Sequence, residues 1–195
     1  NNTTGTFNTA IGGNSLRLNK TGFSNVAVGY SSLLSNTTGA GNTANGYLAL
    51  NSNTTGDGNT ANGFQALYSN TNGGFNTAVG IFGLLNDTSG TTVNTAVGSQ
   101  SQYFNLNGNF NTSLGANSLF NNRTGNYNTA IGDNTLINNL GNNNTAVGSN
   151  ALNLSFTRSD NTALGFVSLY NNDVDFNKSV GNKSLVYLIT CNRNI

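Results

Sequence analysis

The chain has 195 residues and a formal net charge of +1; 7% of its residues are charged, 35% are hydrophobic, and His, Pro, Met and Trp are absent. Lacking imidazole, it lacks the usual general base, the usual partner of a nucleophilic Ser or Cys, and the commonest metal ligand. Its seven Lys and Arg are too scattered to form the basic stripe that nucleic acid needs, and no apolar run is long enough to cross a bilayer as a helix.

From the N-terminus, no signal peptide is evident, and the chain opens on Asn1 rather than Met, as a piece cut from a longer precursor would. Asn2-Thr3-Thr4-Gly5 already has turn composition, so no cap precedes the first pentapeptide, Asn8-Thr9-Ala10-Ile11-Gly12. That pentapeptide returns with its Asn at Asn25, Asn42, Asn59, Asn76, Asn94, Asn111, Asn128, Asn144, Asn161 and Asn177. The intervals are 17, 17, 17, 17, 18, 17, 17, 16, 17 and 16 residues. Repetition at this period is the mark of a solenoid. The consensus is N-T-A-(I/V)-G-x-x-(S/A)-L-x-x-N-x-T-G-x-x, and positions are numbered from its first Asn.

Each unit reads as one rung. N-T-A-(I/V) and (S/A)-L are short strands with alternating faces, the Gly between them is a corner needing positive φ, and N-x-T-G is a turn. No 3.6-residue apolar stripe supports a helix. The fold expected is all-β, a parallel β-solenoid of about eleven rungs over residues 1–185, with 186–195 as a C-terminal cap or an inter-subunit strand. The expected core is the large aliphatic columns: Ile11, Leu16, Val28, Leu33, Leu50, Leu67, Val79, Leu84, Val97, Leu119, Ile131, Leu136, Val147, Leu152, Leu164 and Leu169. Both strands pair a large residue on one face with a small one on the other, and so thin a roll encloses only one of these layers. The other layer then faces solvent or another chain, which favours self-association.

The units Ser24-Asn25-Val26-Ala27-Val28-Gly29-Tyr30-Ser31-Ser32 and Asn128-Thr129-Ala130-Ile131-Gly132-Asp133-Asn134-Thr135 resemble the S-V-A-I-G-x-x-S motif of YadA-like trimeric autotransporter adhesin heads. The array is also similar to the N-T-A-(I/V)-G repeats of phage and giant-virus fibre proteins and of bacterial surface proteins. The resemblance covers residues 1–185. It implies a left-handed parallel β-roll, a trimer, and attachment to a surface or host matrix. The rung here is longer than that family's usual one, Thr mostly replaces Val at position 2, and no coiled-coil stalk or membrane anchor is seen.

Six features stand out as candidate sites. Asn45 and Asn62 interrupt the aliphatic column in adjacent rungs and read as a stacked amide ladder rather than a polar cavity. Tyr30, Tyr47 and Phe64 fill one column and are candidate glycan contacts, with packing against a neighbouring chain as the alternative. The Thr column from Thr9 to Thr162 is explained by cross-strand stacking, with ice binding as a remoter reading. Asn19, Asn36, Asn53, Asn86 and Asn122 head N-x-(S/T) sequons and are the candidate N-glycosylation sites, on turns expected to be exposed. Val186, Tyr187, Leu188 and Ile189 form the most apolar run and are the candidate inter-subunit segment. Cys191, the one cysteine, reads as an inert buried thiol, with a bridge between two chains as the alternative.

The function expected is a structural or adhesive extracellular fibre protein, not an enzyme, at a cell surface or on a virion fibre. It assembles with itself as a trimer or head-to-tail filament and contacts host surface or glycans, with no cofactor, nucleic acid or membrane insertion. The alternative is a glycan- or ice-binding module of a larger surface protein.

Overall fold

The computed structural model describes residues 3–88, 90 and 93–188, with Leu188 described in its backbone alone. The fold is all-β, a parallel solenoid of about ten turns with a repeat near 17 residues. Each motif contributes one short strand: β1 (Thr9–Ile11), β2 (Val26–Val28), β3 (Thr43–Asn45), β4 (Thr60–Asn62), β5 (Thr77–Val79), β6 (Thr95–Val97), β7 (Thr112–Leu114), β8 (Thr129–Ile131), β9 (Thr145–Val147), β10 (Thr162–Leu164) and, after a two-residue strand β11 (Asn171–Asn172), β12 (Lys178–Val180). These eleven motif strands form one parallel sheet in sequence order, and a final strand β13 (Tyr187–Leu188) pairs with β11. Register is residue for residue, Thr43 beside Thr60 and Ala44 beside Ala61, so every column of the sequence is a column in space.

Two expectations fail here, for linked reasons. The (S/A)-L segment is not a strand. Its seventh and ninth positions carry positive φ in rung after rung, as at Ser31 (53°) and Leu33 (51°) or Gln65 (53°) and Leu67 (52°). A left-handed non-Gly residue costs roughly 1–2 kcal/mol. It is held by inter-rung bonds, the Leu33 amide donating to the Ala49 carbonyl at 3.0 Å and the Ser31 amide to the Gly13 carbonyl at 2.8 Å. The left-handed turn removes the strict alternation of a strand, so Leu and the small residue before it both point inward.

Leucine then fills the lumen alone. Leu33, Leu50, Leu67, Leu84, Leu119, Leu136, Leu152 and Leu169 are fully buried, and Leu16 nearly so. They pack against the small third-position column, Ala27, Ala44, Ala61, Ala78, Ala96, Ala130, Ala146 and Ala163, which lies on the inner face of the sheet. Because neighbouring residues of a strand face opposite ways, an inward Ala sends position 4 outward. Ile11, Val28, Val79, Val97, Ile131, Val147 and Leu164 are therefore not core residues: Ile11, Ile131 and Leu164 are exposed, and the four valines are half-buried on the outer wall.

The fifth-position glycine is required twice over. From Gly12 to Gly181 its φ lies at +120° to +142°, and at Gly12 a Cβ would stand 2.7 Å from the carbonyl oxygen of Gly29. A left-handed corner and close approach of the next rung both demand hydrogen there.

Polar columns close the rest of the lumen. The motif asparagines are buried from Asn25 to Asn177. The Oδ1 of each accepts the backbone N–H of the motif Asn one rung on, as Asn25 does from Asn42 at 2.9 Å and Asn42 from Asn59 at 2.9 Å. In most rungs the Nδ2 donates to the turn carbonyl that closes its own unit, Asn42 to Gly56 at 2.8 Å, while Asn161 and Asn177 turn to carbonyls just before them. A second ladder runs at position 12. There Asn53 donates to Asn36 Oδ1 at 2.9 Å and to the Gly56 carbonyl at 3.0 Å. That ladder corrects the glycosylation reading. Asn19, Asn36, Asn53 and Asn122 are at most 1% exposed, with their amides committed inside the rod, so the folded chain offers no acceptor at these four sequons. Asn86 lies one position earlier in its rung, outside the ladder, and is half-buried with its amide on the Tyr103 carbonyl.

The interior is uniform except in the middle. Apolar core runs from Leu16 to Ala96 and again from Leu119 to Leu169. Between them Gln102 replaces Leu, fully buried, with its Nε2 bonded to the Thr95 carbonyl and Ser113 Oγ. The 18-residue interval from Asn76 to Asn94 lies just before it and carries Asp87 in the position-12 ladder. At the C-terminal end the chain continues its spiral. Tyr187 pairs with Asn171 and Leu188 with Asn172, and the Asn171 amide donates to the Val186 carbonyl. Val186, Tyr187 and Leu188 thus complete a rung of their own chain, while Ile189 and Cys191 lie outside the described residues.

Candidate interaction surface

The outer face of the eleven-stranded sheet is the most regular surface on the molecule. Strand alternation places Thr at position 2 and Val, Ile or Leu at position 4 side by side on it, and parallel register repeats the pair at every rung. In these two columns the only charge is Lys178, in β12. Exposure of the aliphatic column is substantial, 59% for Ile11, 49% for Leu114 and 74% for Val180. Asn45 and Asn62 sit in this column on the surface, the Asn45 Nδ2 donating to Asn62 Oδ1 at 3.3 Å. They form an amide ladder with open capacity outward.

Aromatic rings flank the face. Position 6 carries Tyr30, Tyr47 and Phe64, about half exposed, with centroids 5.7 and 5.2 Å apart and planes within 14°. The row then runs diagonally through edge contacts, Phe64 to Phe82 and Phe82 to Tyr103, and ends in a stack of Tyr103 on Phe120. Column reading missed Phe82, Tyr103 and Phe120 because they stand at positions 7, 10 and 10. The one cue was that each lies one rung after its predecessor. On the other flank, Phe110 and Tyr127 stack at 5.0 Å with planes 3° apart, while Phe7 and Phe75 stand far out in the solvent. Stacked rings cover one another's faces and turn their edges to solvent. A sugar ring packs on an aromatic face, so Tyr30, Tyr47 and Phe64 offer a pyranose less than their alignment in sequence promised.

Beside the 18-residue interval a groove of about 460 Å³ opens between Phe75, Val93 and Phe110, with Asp57, Asn72 and Asn109 at its rim. Asp57 is engaged there, its Oδ1 accepting the Ala40 amide at 2.7 Å. Asp173 forms an ion pair with Arg158 at 2.5 Å, and that hydrogen bond raises the guanidinium above its ordinary value. Asp175 instead accepts the Ser159 amide at 2.7 Å. Among the described residues no group of three or more His, Cys, Asp or Glu is placed to hold a metal ion, and no helix is long and apolar enough to cross a membrane.

No known family matches the chain, and no curated protein and no solved structure shows significant similarity to it. Its architecture alone defines its class, a parallel β-solenoid repeat protein.

Proposed function

We propose that this chain is a structural or adhesive scaffold, a rigid rod that associates with copies of itself through the outer face of its sheet. One observation carries the reading: a nearly charge-free face of Thr and aliphatic side chains, flanked by exposed aromatics, runs the full height of the rod. Eleven strands at ~4.8 Å by the two outward columns at ~6.6 Å give roughly 50 by 13 Å, or about 650 Å² per chain, before the flanking rings are added. With the flanking rings the face approaches the roughly 800 Å² per partner of a standard stable interface, and monomers rarely leave an aliphatic column and aromatic rows of this extent uncovered. Burial in the aromatic and aliphatic columns would also relieve the exposure of Tyr30, Tyr47 and Phe64, which suits packing between chains better than sugar binding.

The resemblance to adhesin heads and fibre proteins supports an extracellular setting, at a cell surface or on a virion fibre, and host surface or glycans as further partners. Lateral association and head-to-tail filaments are the two forms of assembly consistent with this reading. Mass measurement by light scattering, followed by negative-stain electron microscopy, tests it. Discrete oligomers or filaments are expected. A monomer at tens of micromolar with an unstained, featureless rod would end the proposal.

A further inference from the structure

The aliphatic column of the outer face is interrupted twice, and both interruptions fall together, off-centre. From β1 to β12 the position-4 residues run Ile, Val, Asn, Asn, and then aliphatic to the end. Nothing inside the rod needs these amides, because position 4 points outward and Asn45 and Asn62 are exposed. Valine at either position would preserve the strand. Each amide carries two donors and an acceptor with two lone pairs, and the single bond between them leaves most of that capacity facing out.

Building on the self-association proposed above, we infer that Asn45 and Asn62 set the alignment of two copies, parallel and in register. When rods lie parallel with equal rungs opposed, the two amides of one copy meet the same two of the other and can exchange hydrogen bonds across the axis. When rods lie antiparallel with full overlap, β3 and β4 oppose β9 and β8, so Asn45 and Asn62 are buried against Val147 and Ile131. Amides buried without partners are costly, and both copies bear that cost. A slip of one rung is selected against in the same way, because it sets Asn62 against Val79. A lone polar residue in an otherwise apolar seam fixes register by this logic wherever chains pack side by side. Lys178 is neutral in the choice: it lies exposed in the sheet's last strand, where a flexible stem keeps the ammonium hydrated in either alignment.

Crosslinking separates this inference from the reading it rests on. In a Cys191→Ser background, Thr43→Cys and Thr145→Cys variants are treated with a short bis-maleimide, alone and mixed, after their mass has been measured. Expected are oligomers by mass, with Thr43→Cys joining to itself at least tenfold more than to Thr145→Cys. Adding Asn45→Val and Asn62→Val, at exposed positions that leave the core intact, should keep or strengthen the oligomer while bringing the two crosslinks to parity. Monomers by mass would defeat the self-association reading itself. Oligomers that prefer the mixed crosslink would overturn the parallel alignment. An unchanged preference in the double valine variant would overturn the role of the two amides.

Discussion

Removing one amide from the motif ladder should cost the rod more than any surface substitution of the same size. Asn42 is fully buried. Its Oδ1 accepts the Asn59 amide at 2.9 Å and the Asn59 Nδ2 at 3.1 Å, and its Nδ2 donates to the Gly56 carbonyl at 2.8 Å. Asn42→Ala leaves the buried Asn59 backbone N–H without its acceptor, while the Gly56 carbonyl keeps the Asn53 Nδ2 as its remaining donor. A buried orphan costs about 1–3 kcal/mol, so the expected loss is of that size, a sizeable share of a typical domain's stability. Urea unfolding monitored by circular dichroism reads the loss. Hydrogen exchange at Asn59 and Gly56 localises it, since a repeat rod need not unfold in two states. Asn121→Ala is the control: that half-buried amide donates one long bond, 3.4 Å to Asn138, and accepts one from the solvent-exposed Arg123 Nε at 3.2 Å, so its removal should cost about 0.5 kcal/mol or less. If Asn42→Ala and Asn121→Ala proved equally mild, the ladder would not be holding the rungs together.

Four other outcomes follow from the same geometry. Leu50→Ala should cost about 2–5 kcal/mol in urea unfolding, and Val97→Ala under about 1 kcal/mol, because only the first empties the lumen. Gly63→Ala should abolish folding judged by circular dichroism, since φ is +142° and the new methyl would strike the Gly80 backbone. Asp87→Asn should raise the melting temperature by a few degrees. It supplies an amide toward Asn70 Oδ1, a buried oxygen that no donor reaches now, whereas its counterparts Asn36 and Asn53 each accept from the next rung. Amide exchange should be faster around Gln102, where buried Ser101, Ser113 and Ser118 separate two apolar cores, than around Leu50 or Leu136.

Period, parallel stacking and the corner glycine were legible in the sequence because each is a column property, and columns survive any choice of which face points in. The direction of the aliphatic column was not legible. Alternation within T-A-V permits Ala in or Val in, and what decides is Leu33 and its equivalents turning through left-handed φ to occupy the lumen first. Leucine seldom adopts that conformation, so composition gave no hint of it. The sequons misled for a related reason. Asn36-Thr37-Thr38 has the residues of an exposed turn, but a turn repeated at every rung becomes a stack, and the stack buries its asparagines. Of the interaction surface, the stacked amides of Asn45 and Asn62 and the row from Tyr30 to Phe64 could be read from spacing. The diagonal onward to Phe120 required the rungs in space.

Distances between rungs test the central claim most directly. Spin labels at Thr43 paired in turn with Thr77, Thr112 and Thr145, all in the outward position-2 column, span two, four and six rungs. Diluted with unlabelled protein to suppress inter-chain signals, they should give separations near ~10, ~19 and ~29 Å, rising by ~4.8 Å per rung. Separations that do not increase in proportion to rung number would contradict the stacked solenoid and everything built on it.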